Sequence, residues 1–238
     1  MRCRPGNHMK HKSLNRRSRS RQSGNAILEA AIVLPCLTLM FFGSIGLGLM
    51  LGRYSQAIQV ARDVAHMYAD GVDFSQTASQ NIVTQKLAAG TGMTNTGGNG
   101  VVVFSQIRTV YLADCTAAAI SAANCANQGQ PVFVQRIVVG NSSLRSSAFG
   151  TPTSALMNSQ GNISPAVYLQ NTDSSVRASG FEVVLDAAVQ RATGSPASAP
   201  AQPQGDTAYV VELFFQYPDI GYLGWTTSSG AYVQFIFH

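Results

Sequence analysis

The side chains able to do covalent chemistry are few, and their spacing does not assemble a catalytic centre. The histidines are His8, His11, His66 and His238. Two lie in a basic N-terminal stretch, one in an Ala- and Gln-rich segment and one at the last position. No Cys–His or Ser–His–Asp set can be argued from them, and neither G-x-S-x-G nor H-E-x-x-H occurs. Glu182, Asp186, Glu212 and Asp219 are expected on solvated strand faces or in turns. Asn141-Ser142-Ser143 and Asn162-Ile163-Ser164 match a glycosylation acceptor, a motif short enough to recur by chance. Cys115 and Cys125 enclose a nine-residue loop that closes easily, so a disulfide is the main reading if the segment is exported. Two separate thiols or a metal site are the alternatives, although Cys-x₉-Cys lacks a second ligand pair at the usual spacing. No catalytic, cofactor-binding or metal site is expected.

One carboxylate is placed unusually. Glu29 opens an apolar run, and from Ala30 to Gly52 there are 23 consecutive residues without a charge. At 1.5 Å per residue such a run spans about 34 Å as a helix, enough for a hydrocarbon core of about 30 Å. Lipid offers the backbone no partners, so the span of residues 25–52 is expected to be helical. An ionised carboxylate at its start is costly unless paired. Either Glu29 snorkels to the headgroups, or it meets a cation held at the same depth by another protein. Pro35 removes one backbone hydrogen bond and predicts a kink. Cys36 reads as an apolar lining residue. Gly48 and Gly52 make a G-x-x-x-G spacing, which lets a second helix approach closely but also arises by chance in Gly-rich spans.

Charge fixes the orientation expected of that span. The formal net charge is +5, but residues 1–24 hold eight of the 16 basic residues and no acid. The basic character therefore belongs to the leader, where it predicts a cytoplasmic N-terminus and an exported remainder. Placed directly before a membrane helix, it needs no nucleic acid to explain it. A cleavable secretory signal would have a shorter apolar region followed by an A-x-A-like site. Here the run instead ends at Gly52-Arg53-Tyr54. Charged residues are 11% of the chain, well under the roughly 25% of ordinary soluble domains.

The junction Arg21-Gln22-Ser23-Gly24, followed by Asn25-Ala26-Ile27-Leu28-Glu29, resembles the processing site of type IV prepilins. More closely, GNAILEAAIVLP resembles the start of TadE-like pseudopilins (TadE or its sibling TadF) of tight-adherence, Flp-type pilus systems. The features shared are a basic leader ending in Gly24, Glu29 at the fifth position after it, and an early Leu34-Pro35 step. Ala30 stands where that family usually has Phe or Tyr. The resemblance is specific over residues 16–70. It implies cleavage between Gly24 and Asn25 by a prepilin peptidase, an aspartic protease of the inner membrane. It also implies that Glu29 attracts the freed N-terminal cation of a neighbouring subunit. The implied partners are other pilin-like subunits and the inner-membrane assembly platform, and the implied role is a structural one in assembling, priming or capping an adhesive pilus. Major-subunit status is not implied, because Flp-type major subunits are much smaller. The reading from a different class is an uncleaved single-pass anchor carrying a binding module.

The rest of the chain is read as scaffold. Residues 53–90 form the stem: Ile58, Ala61, Ala65 and Tyr68 approximate one helical face. Asp70-Gly71 breaks that helix, and a second follows near 75–89. Residues 91–100 read as a flexible linker or long turn whose glycines fit no phosphate-binding pattern. The region 101–238 changes to strand patterning at 101–112, 131–140, 181–189, 208–217 and 231–238, with a Pro-rich loop at 192–206. The expected fold class is α+β: a transmembrane helix continuing into an amphipathic stem helix that packs on an antiparallel sheet.

Overall fold

A computed structural model describes residues 19–181, 207–216 and 230–237, with side chains from Ala26 onward. The chain divides into two compact units, Met1–Met50 and Leu51–His238. In its described part the first unit is helix alone. The helix, α1 (Arg19–Ala69), begins there and continues into the second unit. Ile27, Leu34, Met40 and Phe41 are each more than half exposed. Apolar groups all round a helix belong in lipid or in a larger core rather than in water. By length and composition α1 contains one stretch able to cross a membrane.

The second unit is an α+β domain. Ala57, Val60, Ala61, Val64, Ala65 and Tyr68 recur at i, i+3, i+4, i+7, i+8 and i+11 of α1, and all are buried. This face is rotated from the expected stripe: Ile58 is only partly buried and packs at the margin. The small side chains at 57, 61 and 65 let the helix backbone lie close to the sheet. After Gly71, at φ +88°, the chain reverses. Phe74 is then buried and stacks on Phe104 with ring centroids 4.3 Å apart. The second helical stretch is α2 (Thr77–Asn81), extended by a π-helical turn at Ile82–Leu87.

Residues 91–100 form an ordered turn rather than a loose linker. Met93 and Gly98 form a β-bridge. Asn95 donates from Nδ2 to Oδ1 of Asn81 (2.7 Å) and accepts from the Thr84 hydroxyl (2.8 Å). The Gly140 amide donates to the Asn95 carbonyl at 2.8 Å.

Four strands form one antiparallel sheet in the order β2-β1-β3-β4. They are β1 (Gly100–Thr109), β2 (Pro131–Gly140), β3 (Thr207–Gln216) and β4 (Gly230–Phe237). The strand expected at 181–189 falls outside the described residues except for Phe181, as does the loop at 192–206. A bulge between Gln106 and Ile107 shifts the β1–β2 register. Because side chains alternate along each strand, the sheet has two distinct faces. Val102, Phe104, Ile137, Val139, Val211, Leu213 and Phe215 meet α1. The other face buries Ile107, Phe133, Ala208 and Val210 beneath the connection that follows β2. That connection includes the short helix α4 (Pro165–Gln170) and two 3₁₀ turns.

Candidate functional site

The sequence motif lies in the N-terminal described part of α1. Gly24 and Asn25 are within the helix, which is described from Arg19 onward. Glycine is the weakest ordinary helix former, about 1 kcal/mol worse than Ala, so this turn opens at small cost. Glu29 follows Asn25 by four residues, placing the two on one helical face about 6 Å apart along the axis. The Glu29 side chain is exposed. A chain beginning at Asn25 would bring an ammonium to the positive end of the helix dipole, where a carboxylate one turn on offsets the charge.

Further along, Pro35 has no amide hydrogen to donate to the Ala31 carbonyl. The neighbouring hydroxyls are satisfied inside the helix: Thr38 donates to the Leu34 (3.0 Å) and Pro35 (2.8 Å) carbonyls, and Ser44 to that of Phe41 (2.8 Å). This lets an apolar helix carry hydroxyls without leaving donors bare in lipid. A Cβ added at Gly43, Gly46, Gly48 or Gly52 would meet no described atom within 4 Å. Cys36 is an exposed free thiol.

Cys115 and Cys125 are disulfide-bonded, with Cα atoms 5.9 Å apart. Cys115 sits on α3 (Leu112–Ala117), just after β1, and both cysteines belong to the core of the second sheet face. Arg108 and Asp114 form an ion pair beside them.

A buried polar cluster on the same face was not anticipated. Glu212, expected on a solvated strand face, is only 3% exposed. Its carboxylate accepts from the Tyr232 hydroxyl (2.7 Å), the Ala148 amide (2.8 Å) and the Ser147 hydroxyl. Alternation does place residue 212 opposite the helix-facing Val211 and Leu213. What the pattern hides is that the chain after β2 folds back over this face. Arg136 on β2 is also buried, donating to Ser105 and to the Gly150 carbonyl (2.9 Å). Burial lowers its pKa to about 10 even though the Glu212 charge opposes that shift. Burial, and then the Glu212 carboxylate, push the Tyr232 phenol well above its ordinary range. The adjoining cleft, lined by Val101, Val103, Arg145, Glu212 and Tyr232, encloses only about 170 Å³ even counting open solvent. Ligand pockets usually start near 300 Å³. With its carboxylate already engaged by three donors, Glu212 anchors the 147–150 segment. Among the described residues, no group of three or more His, Cys, Asp or Glu side chains is arranged to hold a metal.

Residues 24–66 match the model of the family described as TadE-like protein. The match runs from Gly24 through the apolar run to the buried stem face, and the sheet lies outside it. No curated protein and no solved structure matches the chain.

Proposed function

We propose that this chain is a minor, pilin-like subunit of a Tad-type pilus, processed after Gly24 and held in the inner membrane by α1 with its α+β domain in the periplasm. The match supports a Tad pilus-associated protein in general. The observation that carries the finer reading is that this match begins at Gly24 and includes Glu29 next to the apolar run of α1, the one helix among the described residues long and apolar enough to span a membrane. Eight basic residues before Gly24 support a cytoplasmic leader, within reach of a prepilin peptidase. After cleavage the Asn25 ammonium and the Glu29 carboxylate are about 6 Å apart along the helix axis, so a neighbouring subunit displaced by that rise would bring its ammonium level with Glu29. A charge pair between neighbouring subunits there would offset the cost of both and set helix register. The partners are the peptidase, other pilin-like subunits and the inner-membrane assembly platform, with Gly48 and Gly52 on a surface small enough for close helix approach. The role is structural: assembling, priming or capping the adhesive fibre.

One feature favours the alternative of an uncleaved anchor presenting a binding module: α1, described from Arg19, passes through Gly24 and Asn25 without interruption. The two readings separate on the Gly24→Leu variant. Processing predicts that the wild-type chain runs below full length on immunoblots and that the variant stays at full-length mass. Both chains at full-length mass would favour the anchor, and both below it would overturn the cut site.

A further inference from the structure

The end of the sheet that adjoins Gly52 can be identified from contacts within the second unit. Gln56 of α1 donates from Nε2 to the Ala89 carbonyl (3.4 Å). Gln56 is four residues past Gly52, about 6 Å along the helix axis. From Ala89 the chain leads to the turn that bonds the strand ends: the Gly140 amide donates to Asn95 (2.8 Å) and the Gln216 amide to Asn99 (2.7 Å). The opposite end of the sheet lies by the last turns of α1, where the rings of His66 and Phe237 are 5.0 Å apart and those of Tyr68 and Tyr209 5.4 Å apart.

Among the described residues, charge is divided between these ends. The near end carries Arg53, Lys86, one turn before Ala89, and Arg145, whose guanidinium lies 3.9 Å over the Tyr232 ring close to where β3 and β4 end and begin. Lys86 and Arg145 are exposed, as is Tyr54. Of the described acids in the second unit, Glu212 lines the same cleft as Arg145 but is buried and engaged by three donors, and the others sit elsewhere. Asp70 and Asp73 follow Tyr68, and Asp114 is paired with Arg108 beyond the far end of β1. Asp173 precedes the turn leading to Arg177, which bridges to Val132 at the start of β2. Asp63 is about three turns past Gly52.

We infer that this near end is a lipid-contacting rim, on which Lys86 and Arg145, with Arg53 and Tyr54 at the helix exit, engage the phosphates of anionic headgroups in the bilayer that α1 spans. The inference rests on the reading of α1 as a membrane anchor. The headgroup layer extends about 5–8 Å beyond the hydrocarbon, which matches the rise of about 6 Å from Gly52 to Gln56. Lysine and arginine reach further by extending their stems, and tyrosine favours the same layer. Each basic residue close to an anionic surface shifts the equilibrium constant for surface contact about fivefold.

The test uses the full chain in vesicles of phosphatidylcholine with or without phosphatidylglycerol. A fluorophore is placed at Ala89→Cys or, at the far end, Ser174→Cys, in a Cys3→Ser, Cys36→Ser background. A headgroup-nitroxide lipid is the quencher. Carbonate extraction of the same vesicles reports the anchor separately, so its release would overturn the anchor reading. With the chain retained, the position 89 label should be quenched several-fold more than the 174 label. The difference should grow with phosphatidylglycerol and fall with salt, and Lys86→Gln with Arg145→Gln should remove that growth. Equal quenching at the two positions overturns the rim. So does quenching at 89 that depends on protein density rather than on anionic lipid, which would indicate a second copy as the occupant.

Discussion

Tyr68, in the last turn of α1, donates its hydroxyl to Oε1 of Gln135 on β2 at 3.0 Å. The bond fastens the end of the stem helix to an edge strand of the described sheet. Around it the Tyr68 ring meets Phe104 at 5.1 Å and Tyr209 at 5.4 Å. Burial, and then the neighbouring Tyr209, raise the phenol's pKa far above its ordinary 10. Stability from keeping this phenol neutral is complete below pH about 10 and is lost as pH rises toward the folded-state value. Arg136 acts in the opposite sense: its pKa, lowered to about 10, adds stability as pH climbs from there toward 12.5. Tyr68→Phe should cost about 1 kcal/mol at neutral pH and make alkaline unfolding shallower. Denaturant midpoints measured between neutral pH and pH about 11 check this. An unchanged slope would show that Tyr68 does not govern it.

Reduction of the Cys115–Cys125 bond, or Cys115→Ser with Cys125→Ser, should destabilise the domain by about 3 kcal/mol for so short a loop. For a domain of this size that lowers Tm by about 6–12 °C. Thermal melts of oxidised and reduced full chain in detergent give the comparison, and coincident curves would contradict it.

Glu212→Gln replaces an oxygen that accepts with an amide that donates, facing three groups that already donate. The expected cost is about 2–3 kcal/mol. Because the carboxylate holds the Ala148 amide, hydrogen exchange there should accelerate more than at β1 amides. Uniform acceleration would assign the loss to global unfolding alone.

Glu29→Gln keeps the side-chain shape and removes the charge. Processing should persist, while crosslinking to other pilin-like subunits should fall on the order of a hundredfold, as expected when a paired charge near lipid loses its mate. Immunoblots of cleaved mass and of crosslinked complexes read the two effects apart. Normal complexes with cleaved Glu29→Gln would remove Glu29 from assembly.

Strong patterns in this sequence translate directly into structure. The β2 segment 131–140 is Val- and Phe-rich and flanked by Pro and Gly, and it forms a strand over those residues. The uncharged run lies in one long helix. The stem face was harder to place because Ala57, Ala61 and Ala65 contribute little hydropathy contrast, so Ile58 dominates the pattern from outside the buried face. The 91–100 turn looks loose by its glycines. Its order comes from the Asn95 side chain bonding residues 11 and 14 positions away, which local reading does not detect. The Glu212 environment depends on Ser147 and Ala148, more than 60 residues earlier in the chain. The candidate site was legible for the opposite reason. Gly24, Asn25 and Glu29 are contiguous with the apolar run, and it is their resemblance to a prepilin junction, rather than spacing alone, that marks them as a candidate site.

The central claim is that the mature chain starts at Asn25. N-terminal sequencing of the protein extracted from membranes of cells that are making pili tests it most directly. The account predicts asparagine as the first residue, followed by Ala26-Ile27-Leu28-Glu29. A sequence beginning with the intact basic leader in those cells would contradict it.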